Sequence, residues 1–145
     1  MGLFDPVSTA ETGANVSQTW LDAISENIAN MNDVTSTSKA AYQTRFVVAA
    51  AIPGQAEGTG PGAAGEAAVG GGSEVAGIAL GSPAGVEEYD PTNPLADAHG
   101  MVRAAGVNLG QQMTDMIMAQ QGYEANLATI SQAEQAYQAA LGLQV

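Results

Sequence analysis

From Leu109 to Leu141 the chain keeps an unbroken alternation of four- and three-residue steps: Leu109, Met113, Met116, Gln120, Tyr123, Leu127, Ile130, Glu134, Tyr137 and Leu141. Eight of these ten positions are apolar or aromatic, and only a long helix places such a series on one stripe. The spacing predicts a helix over about 107–141, roughly 50 Å long at 1.5 Å per residue. Gln120 and Glu134 are its polar intruders. Gly110 and Gly122 each weaken the helix or let a neighbour approach closely.

The N-terminal end repeats this pattern. Val7, Ala10, Ala14, Leu21, Ile24, Ile28 and Met31 recur at the same steps, with Ser17 in the one polar slot, which predicts a helix from about Pro6 to Met31. Pro6 suits its first turn and Asp5 its N-cap. Gly13 inside it costs about 1 kcal/mol relative to alanine. Near its end stands "ISENIANMND", residues 24–33, with three asparagines. Asn27 and Asn30 lie three apart on one face, where the last carbonyls of a helix lack partners. Their amides can cap those carbonyls or bridge to the next chain's backbone, or Asn30 and Asn32 simply end the helix by favouring turns.

Between the helices periodicity fails. Pro53 to Gly85 holds eleven of the 18 glycines and three of the six prolines, too little apolar surface to offset the entropy of ordering. A flexible insert is expected over 53–85. The runs "YQTRFVVAA" (42–50), "EVAGIAL" (74–80) and "GMVRAAGV" (100–107) are strand-like and suffice for a β-hairpin or a three-stranded element. "YDPTNPLADAHG" (89–100) is turn-rich. Three segments result: an N-terminal helix (1–33), a β/loop middle (34–106) and a C-terminal helix (107–145).

The composition excludes much chemistry. Lys39, Arg45 and Arg103 are the only basic residues and the formal net charge is -12, so there is no electrostatic footprint for nucleic acid and no polybasic patch for anionic lipid. A charged partner would be basic. No stretch is long and apolar enough to insert in a membrane: the longest apolar run, Phe46 to Ile52, has seven residues, against the roughly 20 that span a bilayer. No targeting signal is legible at the N-terminus. The absence of cysteine rules out disulfides, thiolate zinc sites and cysteine nucleophiles. His99, the single histidine, reads as a turn residue before glycine. Asp90, Asn93 and Asp97 lack the spacing of a calcium loop. Glu87 and Glu88 read as a solvated acidic turn. No nucleophile, base and oxyanion donor assemble, so no catalytic residue, metal or cofactor is expected and the chain is not read as an enzyme.

The expected architecture is mainly α. Long N- and C-terminal helices form a coiled-coil-like pair, joined by a small β-hairpin and loop middle that carries the glycine-rich insert. Two helices cannot cover both seams alone, so further helices must come from other chains. Leu21, Ile24, Ile28, Met113, Met116, Tyr123, Leu127, Ile130, Tyr137 and Leu141 are the expected helix–helix and assembly residues. A soluble acidic helical adaptor or secretion chaperone has the same requirements and is the alternative.

Three blocks carry a family resemblance. The first is Leu21 followed by Asn27-Ile28-Ala29-Asn30 and then "AYQTRFVV". The second is "YDPTNPLADAHGMV", with Tyr89, Pro91, Asn93, Pro94, Leu95, Ala96, Asp97 and Gly100. The third is "VNLGQQMTDMIMAQQGYEANLATI". Together they resemble the axial proteins of the bacterial flagellar rod and hook, the second block and the short length pointing to the short proximal rod members. The resemblance implies a structural subunit, exported unfolded by the flagellar type III apparatus and polymerised into the helical, periplasm-spanning rod of the basal body. Its terminal helices would form the inner layer of a tube. Implied partners are its own copies, other proximal rod proteins, the distal rod and the export gate or its adaptor. The sequence departs from the family pattern at Gln121, where an arginine is usual, at Gly106 in place of proline, and in a longer glycine-rich insert.

Overall fold

A computed structural model describes residues 5–53 and 70–142. Much of the glycine-rich insert (54–69) lies outside the described residues. The element order is α1 (Asp5–Ala29), β1 (Val34–Ser36), β2 (Arg45–Ala51), β3 (Ser73–Leu80), β4 (Val86–Tyr89), β5 (Met101–Ala104) and α2 (Leu109–Gly142). Both terminal helices are present, but the chain is not mainly α. The described residues are 48% helical and 21% strand, and the five strands form two sheets rather than one small hairpin. The cause lies in β5, whose alternating Met101-Val102-Arg103-Ala104 recruits a strand on each side. Within the expected insert, the strand-like run at 74–80 does form a strand, Ser73–Leu80.

The chain divides into two compact units. Of the described residues, one gathers 5–19, 49–53, 70–76 and 119–142, the other 20–48 and 77–118. In the second unit β5 is the central strand of an antiparallel sheet ordered β1-β5-β4. Val34 pairs with Ala104 and Ser36 with Val102 on one side; Val86 pairs with Ala104 and Tyr89 with Met101 on the other. Val102 is consequently buried, together with Ala23, Ile24, Ala41 and Ala105. Glu87 and Glu88 belong to β4, opposite Arg103 and Val102, not to an acidic turn. Thr44 and Gly81 flank the β2–β3 ribbon at one end, where the Gly81 N–H donates to the Thr44 carbonyl at 2.8 Å.

In the first unit the helices meet through small side chains. Ala10, Ala14, Ser17 and Ala119 are buried. A Cβ on Gly13 would stand 2.7 Å from Asn126 Oδ1, and one on Gly122 would stand 3.2 Å from Ser17 Oγ. Glycine at 13 therefore costs helix propensity but permits an approach that alanine would obstruct. Here too the strands are tied in: the Ser73 N–H donates to Thr12 Oγ1 at 3.2 Å, and Ile52 and Gly72 close the ribbon with an N–H···O bond of 2.9 Å.

Both helix boundaries follow from local hydrogen bonding. At the end of α1, Asn30 Nδ2 donates to the Glu26 carbonyl at 2.7 Å, satisfying one of the orphan carbonyls. Ahead of α2, Asn108 Oδ1 accepts from the Gln111 N–H at 3.0 Å, an N-cap arrangement.

Candidate assembly surface

Asn27 does not face solvent at a helix end. It is 1% exposed, and its amide makes four hydrogen bonds within the second unit. The Nδ2 group donates to the Arg45 carbonyl at 2.9 Å and to Gln112 Oε1 at 2.8 Å. The Oδ1 atom accepts from the Arg45 N–H at 2.8 Å and from the Tyr42 hydroxyl at 3.0 Å. The paired bonds to Arg45 copy the donor–acceptor exchange of a neighbouring strand, so the side chain fixes the first residue of β2 to α1. Gln112, 3% exposed, extends the network to α2. Only an amide can do this, because the backbone of Arg45 presents one donor and one acceptor together. Asn27 thus binds elements from three distant stretches of sequence, whereas Asn30 serves its own helix.

The block from Tyr89 to Gly100 connects β4 to β5 through a series of side-chain-organised turns. Asp90 Oδ1 accepts from the Thr92 hydroxyl at 2.7 Å and from its N–H at 3.2 Å. Asn93 Oδ1 accepts from the Leu95 N–H at 3.1 Å, and the Ala96 N–H returns to the Asn93 carbonyl. Asp97 Oδ1 accepts from the backbone N–H groups of His99 at 2.8 Å and Met101 at 3.0 Å, and its Oδ2 accepts from the Thr37 hydroxyl at 3.1 Å. These bonds hold the Asp97 carboxyl below its ordinary range, the Met101 N–H first and the His99 N–H next. The Asp90 carboxyl is lowered chiefly by the Thr92 hydroxyl. Gly100 adopts φ 73°, and a Cβ there would also strike the Tyr89 ring at 2.9 Å and Pro91 Cβ at 3.1 Å. Pro91 and Pro94 add rigidity, while Tyr89 and Leu95 stay exposed at 68% and 45%. The Asp90 carboxylate is therefore committed to its own turn, while Asp97 organises its turn and also ties it to Thr37.

The ten seam residues separate into two groups. Ile24 is buried, and Leu21, Ile28, Met116, Tyr123 and Ile130 are half-buried. Met113, Leu127, Tyr137 and Leu141 are exposed at 56, 44, 44 and 51%. Leu109, Ile117 and Met118 join them at 40–55%. On α2 the buried positions are instead Gln112 and Ala119, and the same seven-residue steps lead on to half-buried Asn126 and Ala133; none of the four is a large apolar residue. This column was missed because the expectation followed large apolar side chains. The seven-residue recurrence of small and amide residues was its available signal. Tyr42 and Gln112 were missed for another reason, since nothing local marks a polar residue as the partner of one far away.

What remains exposed has a common character. The buried hydrophobic set is mostly alanine, while Leu109, Met113, Ile117, Met118, Leu127 and Leu141 of α2 are exposed, as are Phe46, Val48, Ile78 and Leu80 of the ribbon. A two-stranded ribbon with bare apolar residues is marginal by itself, and exposed apolar stripes of this kind mark association surfaces. Two of the three cations are engaged internally: Arg45 with Glu26 at 2.7 Å, and Arg103 with the Lys39 carbonyl at 2.7 Å and Glu87 at 3.9 Å. Among the described residues no cluster of histidine, aspartate or glutamate could hold a metal ion, and no helix is long and apolar enough to cross a membrane.

Comparison with known proteins gives the family. The family model for the C-terminal part of flagellar basal body rod FlgEFG proteins matches residues 98–143. The chain is 30% identical to the flagellar basal-body rod protein FlgC of Borreliella burgdorferi, covering 99% of this chain and 98% of that protein. It is 35% identical to FlgC of Agrobacterium fabrum, covering 88% of each. With FlgC of Salmonella typhimurium it shares 30% identity, covering 77% of this chain and 75% of that protein.

Proposed function

Since this chain belongs to the FlgC family of flagellar basal-body rod proteins, we propose that it is a structural subunit of the proximal rod that assembles through its terminal helices. It works by packing, with no catalytic step and no cofactor. Export through the flagellar type III apparatus in an unfolded state precedes assembly. Residues 1–33 and 107–145 then lie in the inner layer of a helical tube, with 34–106 around them. Its neighbours are further copies of itself and other basal-body components, among them the other proximal rod proteins, the distal rod and the export gate.

The observation that supports this reading is the inversion of side-chain size. The chain buries Ala10, Ala14, Ala23 and Ala119 and exposes Met113, Ile117, Leu127 and Leu141. Burying one such large side chain yields about 1.5–3 kcal/mol, so a subunit that leaves several outside gains most of its packing energy on assembly. Fully helical ends are not required before then, because isolated helices are marginal in water.

The test replaces Met113 and Leu127 together with glutamate in the source bacterium. Both side chains are exposed, so the isolated subunit should keep the helicity of the native chain by circular dichroism. The variant should be missing from purified basal bodies and the cells should not swim. Normal incorporation would overturn the assembly role of α2. A native chain that forms a closed, discrete oligomer instead of entering the rod would favour the adaptor reading.

A further inference from the structure

The first unit contains none of the three basic residues of the chain: Lys39, Arg45 and Arg103 all fall in the second. Yet its stretch of α2 carries exposed Leu127 and Leu141. Glu134 stands in their stripe, seven residues after Leu127 and seven before Leu141, and Glu124 borders it three residues before Leu127. Both glutamates are exposed. Among the described residues, Glu11 and Glu74 are the other exposed carboxylates of this unit. An apolar stripe interrupted and flanked by one sign of charge sets a condition on what can cover it.

We propose that the Leu127–Leu141 stripe is covered by an amphipathic helix of a different protein chain, one whose own apolar stripe is flanked by lysine or arginine. This rests on the reading of α2 as an assembly helix and names its partner. A second copy presenting the same stripe would set Glu124 and Glu134 against their equivalents, and like charges across a helix seam disfavour pairing. A second copy presenting its other unit fares little better. Its Arg45 is engaged with Glu26 at 2.7 Å and its Arg103 with the Lys39 carbonyl at 2.7 Å, leaving Lys39, among the described residues, as the one basic side chain outside an ion pair. The two glutamates therefore act as selectors. They suppress self-pairing at this stripe and reserve it for a basic-flanked helix, so copies of the chain meet elsewhere.

The experiment uses the full-length chain and two synthetic helical peptides of about four heptads. They share one leucine stripe and differ only in carrying lysine or glutamate at the flanking positions. Binding is followed by fluorescence anisotropy at roughly 50 mM and roughly 500 mM salt, where screening lengths differ severalfold. The native chain should bind the lysine peptide at least about tenfold more tightly than the glutamate peptide at low salt, with the ratio shrinking at high salt. Glu124→Lys/Glu134→Lys should invert the preference. Glu11→Lys/Glu74→Lys changes the net charge equally but leaves the stripe alone, and should retain it. Leu127→Ala should weaken binding of both peptides. Equal binding of the two peptides overturns the proposal. So does a loss of preference in the Glu11/Glu74 variant as large as in the stripe variant, which would reduce the effect to net charge. The two readings fail separately. If Met113 and Leu127 prove necessary for rod incorporation but no peptide preference exists, only the charge selection falls. If the rod forms without them, the assembly role of α2 falls first.

Discussion

Replacing Asn27 with alanine should cost more stability than its size suggests. The substitution removes four hydrogen bonds of 2.8–3.0 Å, each worth about 1 kcal/mol net. Not all of that is lost, because the partners differ in access to water. Tyr42 is half-buried and Arg45 exposed, so the phenol and the strand backbone recover part of their bonding from solvent. Gln112 is 3% exposed, and an amide left unsatisfied at such a site costs about 1–3 kcal/mol. The expected total is about 2–4 kcal/mol, against roughly 5–15 kcal/mol for a whole domain. Urea unfolding followed by the fluorescence of Trp20, the only tryptophan and in the same unit, should then show a midpoint lower by about 1–2 M. Asn30→Ala is the control: it loses one exposed bond to the Glu26 carbonyl and should shift stability by less than about 1 kcal/mol. Asn27→Asp sharpens the test, since the shape is kept and both donors vanish. Gln112 can turn its amide to donate, but the Arg45 carbonyl cannot. That variant should be at least as unstable as Asn27→Ala at neutral pH. Equal effects of Asn27→Ala and Asn30→Ala would refute the reasoning, reducing Asn27 to an ordinary helix-end residue.

Three further outcomes follow from the geometry. Gly13→Ala should fall within about 1 kcal/mol of the native chain by thermal melting, because the gain in helix propensity opposes displacement of Asn126 from its 2.8 Å bond to the Gly122 carbonyl; Gly13→Leu should lose about 1–3 kcal/mol by overpacking. The lowered Asp97 carboxyl stabilises the fold fully above its unfolded value near 3.8, and this contribution is lost as pH falls below that through the folded value. The Met101 and His99 amide resonances should therefore move together in an NMR titration below about pH 4, and Asp97→Asn should abolish the coupled movement. Gly100→Ala should destabilise by about 1–3 kcal/mol, combining a left-handed backbone with the contacts to Tyr89 and Pro91, measurable as a drop in the urea midpoint.

The helices were legible because their periodicity extends over many turns, but strands of three or four residues carry no countable alternation. "VTS" and "VEEY" become β1 and β4 only because β5 offers each an edge, and that choice is made by pairing rather than by local propensity. The turns of 89–100 were legible as turns, since aspartate, asparagine, proline and glycine act locally there. The role of Asn27 was not, because its decisive partners, Arg45 and Gln112, lie 18 and 85 residues away. The seam shows a third kind of limit. Spacing identifies a helix stripe, but not whether the covering surface belongs to the same chain. The usual preference for burying the largest apolar residues assumes a chain that must complete its own core. This chain buries Gln112 and Ala119 and half-buries Asn126 and Ala133, a column that lets Gly13 and Ser17 approach, and leaves Met113, Leu127 and Leu141 exposed. With five aromatic residues in every hundred, it has few large side chains, and each one spent on internal packing would be lost to an interface. On the reading proposed above the size rule reverses along α2: its small residues make the contacts within the chain, and its exposed large ones are the contacts left for assembly.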